Sequence, residues 1–266
     1  MPMPMHCTHA PWEAGEGTQT ERLSDPAHPV HAARTVLEEM IWSSRCVVCD
    51  MPGSPLCSSC QRNLAYIDHW QACPVCGAPF GRIICTECNT FTLHRRDTDV
   101  LPYGRCTSAV AHDDISRRIV TAYKDGGERS LAPVIARITA DSLSPSLAEH
   151  GTVLTFVPAS AKARRRRGFD HTQEIATHLA RITGMPLVCL FERPHGRDQR
   201  GLNRQQRMAN MQRQMYVRRA YGETPPRSVL IFDDVCTTGA TLFAASAEAR
   251  AAGCSDVSCA TFTRVC

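Results

Sequence analysis

The chain has 266 residues, of which 43% are apolar and 21% charged, so a packed core is possible and a wholly disordered protein is excluded. At about 150 residues per domain, the length predicts two units. No apolar run approaches the ~18 residues of a membrane helix, and the first basic residue, Arg22, lies too late for a secretory signal. We therefore expect a cytoplasmic protein without membrane insertion, in which many of the fifteen cysteines bind metal as thiolates.

The sequence divides into three stretches. Residues 1–31 are rich in Pro, His, Gly and Thr without apolar periodicity, which predicts a disordered tail. Residues 32–100 comprise a lead helix, expected over 33–43 from the helical spacing of its apolar side chains, and a cysteine-rich module. Residues 101–266 form the larger domain.

Eight cysteines of the second stretch form four Cys-x-x-Cys pairs, separated by intervals of 7, 12 and 8 residues. The pairs are Cys46/Cys49, Cys57/Cys60, Cys73/Cys76 and Cys85/Cys88. Each pair aims two thiolates at one point, and two pairs complete the tetrahedron that Zn²⁺ prefers. Two short intervals around a longer one predict sequential pairing, with one zinc ion on the first two pairs and another on the last two. The module is thus expected to be a double zinc ribbon with two structural Zn²⁺ ions.

The zinc ions would not activate water, because a closed tetrathiolate site has no open coordination position. Gly77 follows Cys76 and suits a tight metal knuckle, since glycine adopts positive φ at little cost. A redox site is the alternative for a single Cys-x-x-Cys, but four pairs without a thioredoxin-like strand and helix disfavour it. The spacing leaves open whether the ribbons also bind nucleic acid or protein.

From about residue 103 onward, short apolar strands alternate with amphipathic helices. Strands are predicted over 108–111, 152–157, 187–190, 228–232 and 256–261, and helices over 115–123, 131–143, 172–182 and 240–252. This alternation is typical of an α/β fold, with a parallel sheet that helices cover on both faces.

The most specific motif covers residues 229–241, where an apolar strand ends in two carboxylates and a Thr/Gly turn opens a helix. Such a turn lies at the carboxyl edge of a parallel sheet, where ligands bind, and its amides suit a phosphate group. The residues expected to bind the phosphate are Thr237, Thr238, Gly239, Ala240 and Thr241. Asp233 and Asp234 would accept hydrogen bonds from sugar hydroxyls or hold Mg²⁺ through water. The alternative is that these carboxylates and Thr237 only cap the helix.

This motif resembles the phosphoribosyl pyrophosphate (PRPP) signature of type I phosphoribosyltransferases. The chain, over about residues 33–265, looks like the competence-associated ComF family, in which a double zinc ribbon precedes an amidophosphoribosyltransferase-like domain. Three further segments resemble the family in the same order: 122–127, which contains a Lys; 157–169, which ends in Arg-Gly-Phe; and 199–210, with a Gln, an Arg and an Asn. The chain departs from the family where Asp170-His171 replaces Asn-Gln and Phe156 replaces a Pro.

The resemblance implies a type I phosphoribosyltransferase-like sheet with flanking helices, which binds PRPP together with Mg²⁺. The implied reaction is displacement of pyrophosphate from C1 of the ribose by an unidentified nitrogen acceptor. Asp233, Asp234 and Arg167 would be its catalytic residues, and Lys124 would help to bind the cofactor. We expect His171 to be exposed or to cap a helix. Whether catalysis is retained stays open.

Charge is concentrated in one segment. Residues 158–221 contain fourteen Lys and Arg against four Asp and Glu, a net +10 within a chain of formal net charge +4. Such a segment attracts phosphates, either of PRPP or of single-stranded DNA, and the alternative is a solvated arginine-rich face. A second functional hypothesis is therefore a non-catalytic nucleic-acid-binding accessory of DNA uptake, with a protein of the competence machinery as a further possible partner.

Overall fold

The computed structural model describes residues 44–94, 98–149, 151–193 and 215–266. The expected tail, the lead helix over 33–43 and the segment 199–210 lie outside these ranges. Within them, no helix combines the length and the apolar character that crossing a bilayer requires.

Eight α-helices, one short 3₁₀ helix (Arg219–Tyr221) and six strands lie within the described ranges. The helices are α1 (Ser58–Arg62), α2 (Thr90–His94), α3 (Asp114–Lys124), α4 (Leu131–Asp141), α5 (Ser146–Glu149), α6 (Ala161–Arg167), α7 (His171–Thr183) and α8 (Ala240–Ala251). The strands are β1 (Arg105–Ala111), β2 (Val153–Phe156), β3 (Phe191–Glu192), β4 (Tyr216–Val217), β5 (Ser228–Cys236) and β6 (Asp256–Arg264). Strand and helix alternate in the second half, as the sequence predicts.

The central sheet has four strands in the order β1-β6-β5-β2, and every neighbouring pair is parallel. β2 is buried throughout, and β5 and β6 are buried over most of their length. Such continuous burial is typical of a parallel sheet with both faces covered. The mixed α/β architecture predicted from the sequence is confirmed at this level.

Helices from different parts of the chain cover the two faces of the sheet. α4 and α7 pack against each other and against one face, whereas α8 packs on β5 and β6 from the other. Alternation along β5 matches this arrangement, because successive side chains of a strand point to opposite faces. Leu230 and Phe232 belong to the core beneath α4 and α7, and Val229 and Ile231 belong to the core beneath α8.

The expected strand over 187–190 forms only a single parallel bridge, between Leu187 and Leu154 of β2. Val188 N donates to Leu154 O at 2.9 Å, but Leu190 N donates to the Thr155 hydroxyl at 3.3 Å. The backbone hydrogen bonds with β2 end there, because Leu190 N donates to the Thr155 side chain and not to a backbone carbonyl of β2. The chain continues into β3, which pairs with β4 in an antiparallel sheet of its own.

The cysteine-rich segment covers the free edge of β1. Ile67 N donates to Ala109 O at 3.0 Å, and Cys106 N donates to Val75 O at 2.7 Å. Part of the segment, including Leu56, shares the core that lies beneath α4 and α7. The module therefore satisfies backbone groups that an open edge strand would leave exposed.

Candidate functional site

The turn after β5 is placed where a ligand can reach it. β5 ends at Cys236, α8 begins at Ala240, and Thr237, Thr238 and Ala240 are exposed. Gly239 has φ +71°, a left-handed backbone conformation that residues other than glycine adopt only with strain. The turn lies at the carboxyl end of a central strand, which is the position predicted for a phosphate-binding loop.

The turn residues do not serve as a conventional helix cap. Gly239 occupies the N-cap position of α8, and no side chain caps the helix there. Thr238 Oγ1 accepts a long hydrogen bond of 3.4 Å from Ala240 N. The alternative that Asp233, Asp234 and Thr237 only cap α8 is therefore wrong, because none of their side chains occupies that role.

The two aspartates lie within β5 rather than after it. The expected strand ended at residue 232, but β6 continues alongside, pairing Asp233 with Thr261 and Cys236 with Arg264. Neighbouring residues in a strand point to opposite faces, so the two carboxylates diverge. Asp233 and Asp234 therefore lie in different environments, although the sequence predicted the same role for both, to bind sugar hydroxyls or Mg²⁺.

Asp234 is buried against two basic side chains. Its exposed fraction is 4%, Lys124 Nζ lies 2.5 Å from its Oδ2, and His171 Nε2 lies 3.4 Å from the same oxygen. Oδ2 makes no well-aligned hydrogen bond with the described residues, so the short Lys124 contact acts mainly through charge. The structure thus brings Lys124 and Asp234 together, two residues that the sequence placed at the site separately.

His171 is buried, contrary to the expectation that it is exposed or caps a helix. Its Nδ1 lies 3.1 Å from Arg167 Nη1. Because a guanidinium only donates, Nδ1 accepts, and the neutral ring carries its proton on Nε2, towards Asp234. Burial lowers the pKa of His171; the charges of Lys124 and Arg167 lower it further, and Asp234 opposes them.

Asp170, not His171, caps α7. Its carboxylate accepts from Gln173 N at 3.3 Å and also from Ala159 N at 2.9 Å. The second contact ties the start of α7 to the loop after β2. This departure from the family's Asn-Gln therefore has a local structural role, since an N-cap aspartate satisfies free backbone donors.

Arg167 lies beside the same cluster, with 12% of its side chain exposed. Its Nη2 is 3.3 Å from Asp125 Oδ1, which also receives Arg166 Nη2 at 2.6 Å. Arg167 is thus held between Asp125 and His171. By contrast, Arg164 and Arg165 of the same helix are exposed to solvent.

Asp233 is partly buried, and its Oδ1 accepts from Asp234 N at 2.9 Å. Burial raises the pKa of Asp233 well above its ordinary value, and the neighbouring charge of Asp234 raises it further, while Lys124 opposes both. A carboxyl with a raised pKa can remain protonated and donate a hydrogen bond. The two aspartates therefore differ in burial and in partners.

A cavity of about 310 Å³ lies elsewhere, between the second half of the cysteine module and β1. Its lining includes Trp70, Cys73, Arg105 and Asp141, and it includes none of the charged residues that surround Asp234. The candidate site is accordingly identified by its strand end, its exposed turn and its charges rather than by the volume of this cavity.

The eight cysteines of the Cys-x-x-Cys pairs form two tetrads. One contains Cys46, Cys49, Cys57 and Cys60, and the other contains Cys73, Cys76, Cys85 and Cys88. Within each tetrad, all four sulfur atoms lie within 4.8 Å of one another. The sequential grouping predicted from the intervals is the grouping that the structure has.

The spacing of the sulfur atoms fits zinc. Sγ atoms are 3.6 Å apart for Cys49 and Cys57, and 3.5 Å apart for Cys76 and Cys85. A tetrahedron with zinc–sulfur bonds of 2.3 Å has edges of about 3.8 Å. The two tetrads could therefore each hold one structural zinc ion without rearrangement.

Local backbone geometry supports both tetrads. Burial raises the pKa of the Cys46 thiol, but backbone N–H donors from Cys57, Cys49 and Val48 outweigh it, and the pKa falls to about 6. Gly77 has φ +73°, and a Cβ there would lie 2.4 Å from a backbone oxygen of β1. The knuckle after Cys76 thus requires glycine, as its position in the sequence suggested.

No protein-family model matches the chain, and a search of the curated proteins finds no match. The functional conclusion therefore depends on the residues themselves.

Two buried residues of the site region escaped the sequence analysis. The sequence did not predict the burial of His171, because a single histidine beside a loop belongs to no periodic pattern. The one available indication was its position directly after the N-cap Asp170, which places it in the first turn of α7. Arg264 is the last residue of β6 and is 4% exposed. Only its contacts across the fold, with Glu87 and Cys76, distinguish it from a surface arginine.

Proposed function

We propose that the chain is a PRPP-binding protein of the type I phosphoribosyltransferase kind, organised like the ComF family, with the 5-phosphate of the ribose on the turn 237–241. The observation that carries the proposal is the position of this turn. It is exposed, it follows a central parallel strand directly, and it adjoins a cluster of buried acidic and basic side chains. Backbone amides at a helix N-terminus in this position suit a phosphate.

The basic groups near the turn suit the diphosphate of PRPP. Lys124 and Arg167 come from different helices, and both lie near the end of β5. Lys124 contacts Asp234 directly, and Arg167 contacts His171, which in turn lies beside Asp234. A planar guanidinium can bind two phosphate oxygens at once, which favours Arg167 as the residue for the leaving group. Lys124 is already paired with Asp234, so its role would be to keep positive charge near the diphosphate.

The reaction in this proposal breaks the bond between C1 of the ribose and the pyrophosphate oxygen, and forms a bond from C1 to a nitrogen acceptor. Positive charge develops on the ribose ring, and negative charge grows on the leaving pyrophosphate. Asp234, and Asp233 once it has lost its proton, offer oxygen atoms of the kind that Mg²⁺ prefers, although Asp234 is already paired with Lys124. When bound with PRPP, Mg²⁺ would neutralise charge on the diphosphate.

A pair of glycine variants tests the proposal by calorimetry with Mg²⁺·PRPP. Gly239 and Gly184 have nearly equal φ angles, +71° and +75°, and neither would bring a new Cβ into a tight contact. Only Gly239 lies in the turn; Gly184 ends α7. We expect Gly239→Ala to weaken binding about tenfold or more through strain of about 1–2 kcal/mol in the turn, and Gly184→Ala to leave affinity unchanged. Equal losses in both variants, or no binding to the wild type, would refute the proposal.

One observation favours a second function, that of a nucleic-acid-binding accessory. Several aromatic side chains of the cysteine module are exposed: Trp70 to 81%, Phe80 to 80% and Phe91 to 72%. Bases of single-stranded DNA stack on such side chains, each at about 1–3 kcal/mol. The exposed arginines of α6 would add charge contacts with the backbone of the strand.

Titration with single-stranded DNA across a salt series separates the two functions. A nucleic-acid-binding accessory predicts affinity that falls steeply with salt and drops when Trp70 is replaced by Ala. Lys162→Ala, on the exposed face of α6, removes charge but no aromatic ring, so it should weaken binding only through the salt-dependent part. DNA binding without PRPP binding would replace the first proposal, and PRPP binding without DNA binding would dismiss the second.

A further inference from the structure

Arg264 is a buried arginine that sits between the second cysteine tetrad and the phosphate turn. It lies at the end of β6 and is 4% exposed. A buried guanidinium needs partners of opposite charge or good acceptors, because its desolvation is costly. Its partners come from three separate parts of the chain.

Two of these partners belong to the second tetrad, one from each of its halves. Arg264 Nη1 donates to Cys76 O at 2.9 Å, and Nη2 is paired with the carboxylate of Glu87. Cys76 ends the first Cys-x-x-Cys pair of this tetrad, and Glu87 lies inside the second pair, between Cys85 and Cys88. One side chain therefore bridges the two knuckles from outside the metal site.

The third partner leads to the turn. Arg264 Nη1 lies 3.4 Å from Cys236 Sγ, and Cys236 is the last residue of β5, directly before Thr237. The backbone continues the link, because Val265 N donates to Cys236 O at 2.8 Å. The side chain and the backbone around Arg264 thus hold the residue at which the turn begins.

The contacts of Arg264 should depend on whether the second tetrad holds its metal. A zinc ion with four thiolates carries net negative charge, and the guanidinium of Arg264, held by Cys76 O and the Glu87 carboxylate, places a positive charge next to it. If the metal leaves, the thiols regain protons and the two knuckles lose their common centre. The carbonyl of Cys76 and the carboxylate of Glu87 then cease to be fixed with respect to one another.

We propose that Arg264 is a positioning residue that couples metal occupancy of the second tetrad to the conformation of the phosphate turn 237–241. The first tetrad has no such link, since none of its cysteines contacts Arg264 among the described residues. This inference deepens the proposed PRPP site, but the coupling itself is a property of the unliganded protein. It can therefore be tested without any ligand.

The experiment compares hydrogen–deuterium exchange over residues 237–243 in the zinc-loaded full chain and three variants. Cys85→Ser disables the second tetrad, Cys49→Ser disables the first, and Arg264→Gln keeps all eight thiols. Native mass spectrometry counts zinc ions in each protein. We expect Cys85→Ser and Arg264→Gln to speed exchange in the turn about tenfold through local opening, while Cys49→Ser leaves it unchanged.

The core of β5 and β6 serves as the internal reference for global unfolding. If Cys85→Ser unfolds the domain as a whole, Arg264→Gln with its full set of thiols decides the matter. Unchanged exchange of the turn in Arg264→Gln would overturn the inference, as would equal effects of Cys49→Ser and Cys85→Ser. Because no PRPP is present, failure here is distinct from failure of the proposed function.

Discussion

Lys124 Nζ lies 2.5 Å from Asp234 Oδ2, an ion pair that joins the end of α3 to the carboxyl end of β5. Only 18% of the lysine side chain and 6% of the aspartate side chain are exposed. Burying either charge alone would carry a large desolvation cost, which the attraction between the two offsets. The pair therefore ties the last residue of α3 to β5 and holds the Lys124 ammonium next to the candidate site.

Removal of the lysine should destabilise the fold. Lys124→Met would leave Asp234 buried without its main partner, and we expect a loss on the order of 3 kcal/mol in the free energy of unfolding. Denaturant unfolding measures it, with Lys162→Met on the exposed face of α6 as the matched control. Asp234→Asn added to Lys124→Met should restore part of the loss. Similar stability of the Lys124→Met and Lys162→Met variants would contradict the role of the pair.

Asp233 should make the protein less stable as pH rises. Its pKa in the folded chain lies well above its ordinary value of 3.8, chiefly through burial, so the folded state retains a proton that the unfolded state has released. The free energy of unfolding therefore falls from about pH 4 upward until the folded-state pKa is passed. Asp233→Asn should abolish this fall and leave the protein more stable than the wild type at neutral pH, because the substituted amide does not ionise.

Thermal unfolding of Asp233→Asn at a series of pH values checks this expectation. The amide oxygen of the substituted side chain can still accept the hydrogen bond from Asp234 N, so the contact survives while the charge is lost. Glu223→Gln provides the control, because Glu223 is exposed. A variant whose pH profile matches that of the wild type would show that Asp233 ionises in the folded state as it does in the unfolded state.

The cysteine tetrads should carry one zinc ion each. Native mass spectrometry of the wild type is expected to give two zinc ions, and Cys57→Ser should reduce the count to one. Cys266→Ser, at an exposed thiol outside both tetrads, should retain two. Each structural zinc ion supplies on the order of 10 kcal/mol of apparent folding free energy, so chelation should unfold the module. A wild type with one zinc ion or none would refute the two-site interpretation.

The features predicted most reliably from the sequence were those set by local spacing. Four Cys-x-x-Cys pairs with unequal intervals leave little choice of grouping, and the tetrads follow them. The turn after β5 could also be predicted, because the apolar strand, the two acidic residues and the Thr/Gly turn follow one another within a single segment. Gly239 and Gly77 both have the positive φ that their positions require.

The features that the sequence did not predict depend on contacts between distant segments. Asp233 and Asp234 diverge because β6 extends the strand beyond residue 232, and the length of a strand is set by its neighbour. His171 is buried because α7 packs across the sheet, which no local pattern reveals. The partial strand at 187–190 stops where Thr155 competes for a backbone donor.

The most direct test of the account measures hydrogen–deuterium exchange with and without Mg²⁺·PRPP or ribose 5-phosphate. If the terminal phosphate rests on the backbone N–H groups of the turn, both ligands should slow exchange of the amides over 237–241, and Mg²⁺ alone should not. Saturating ligand that leaves these amides exchanging as in the free protein would contradict the central claim, whatever other part of the chain it protected.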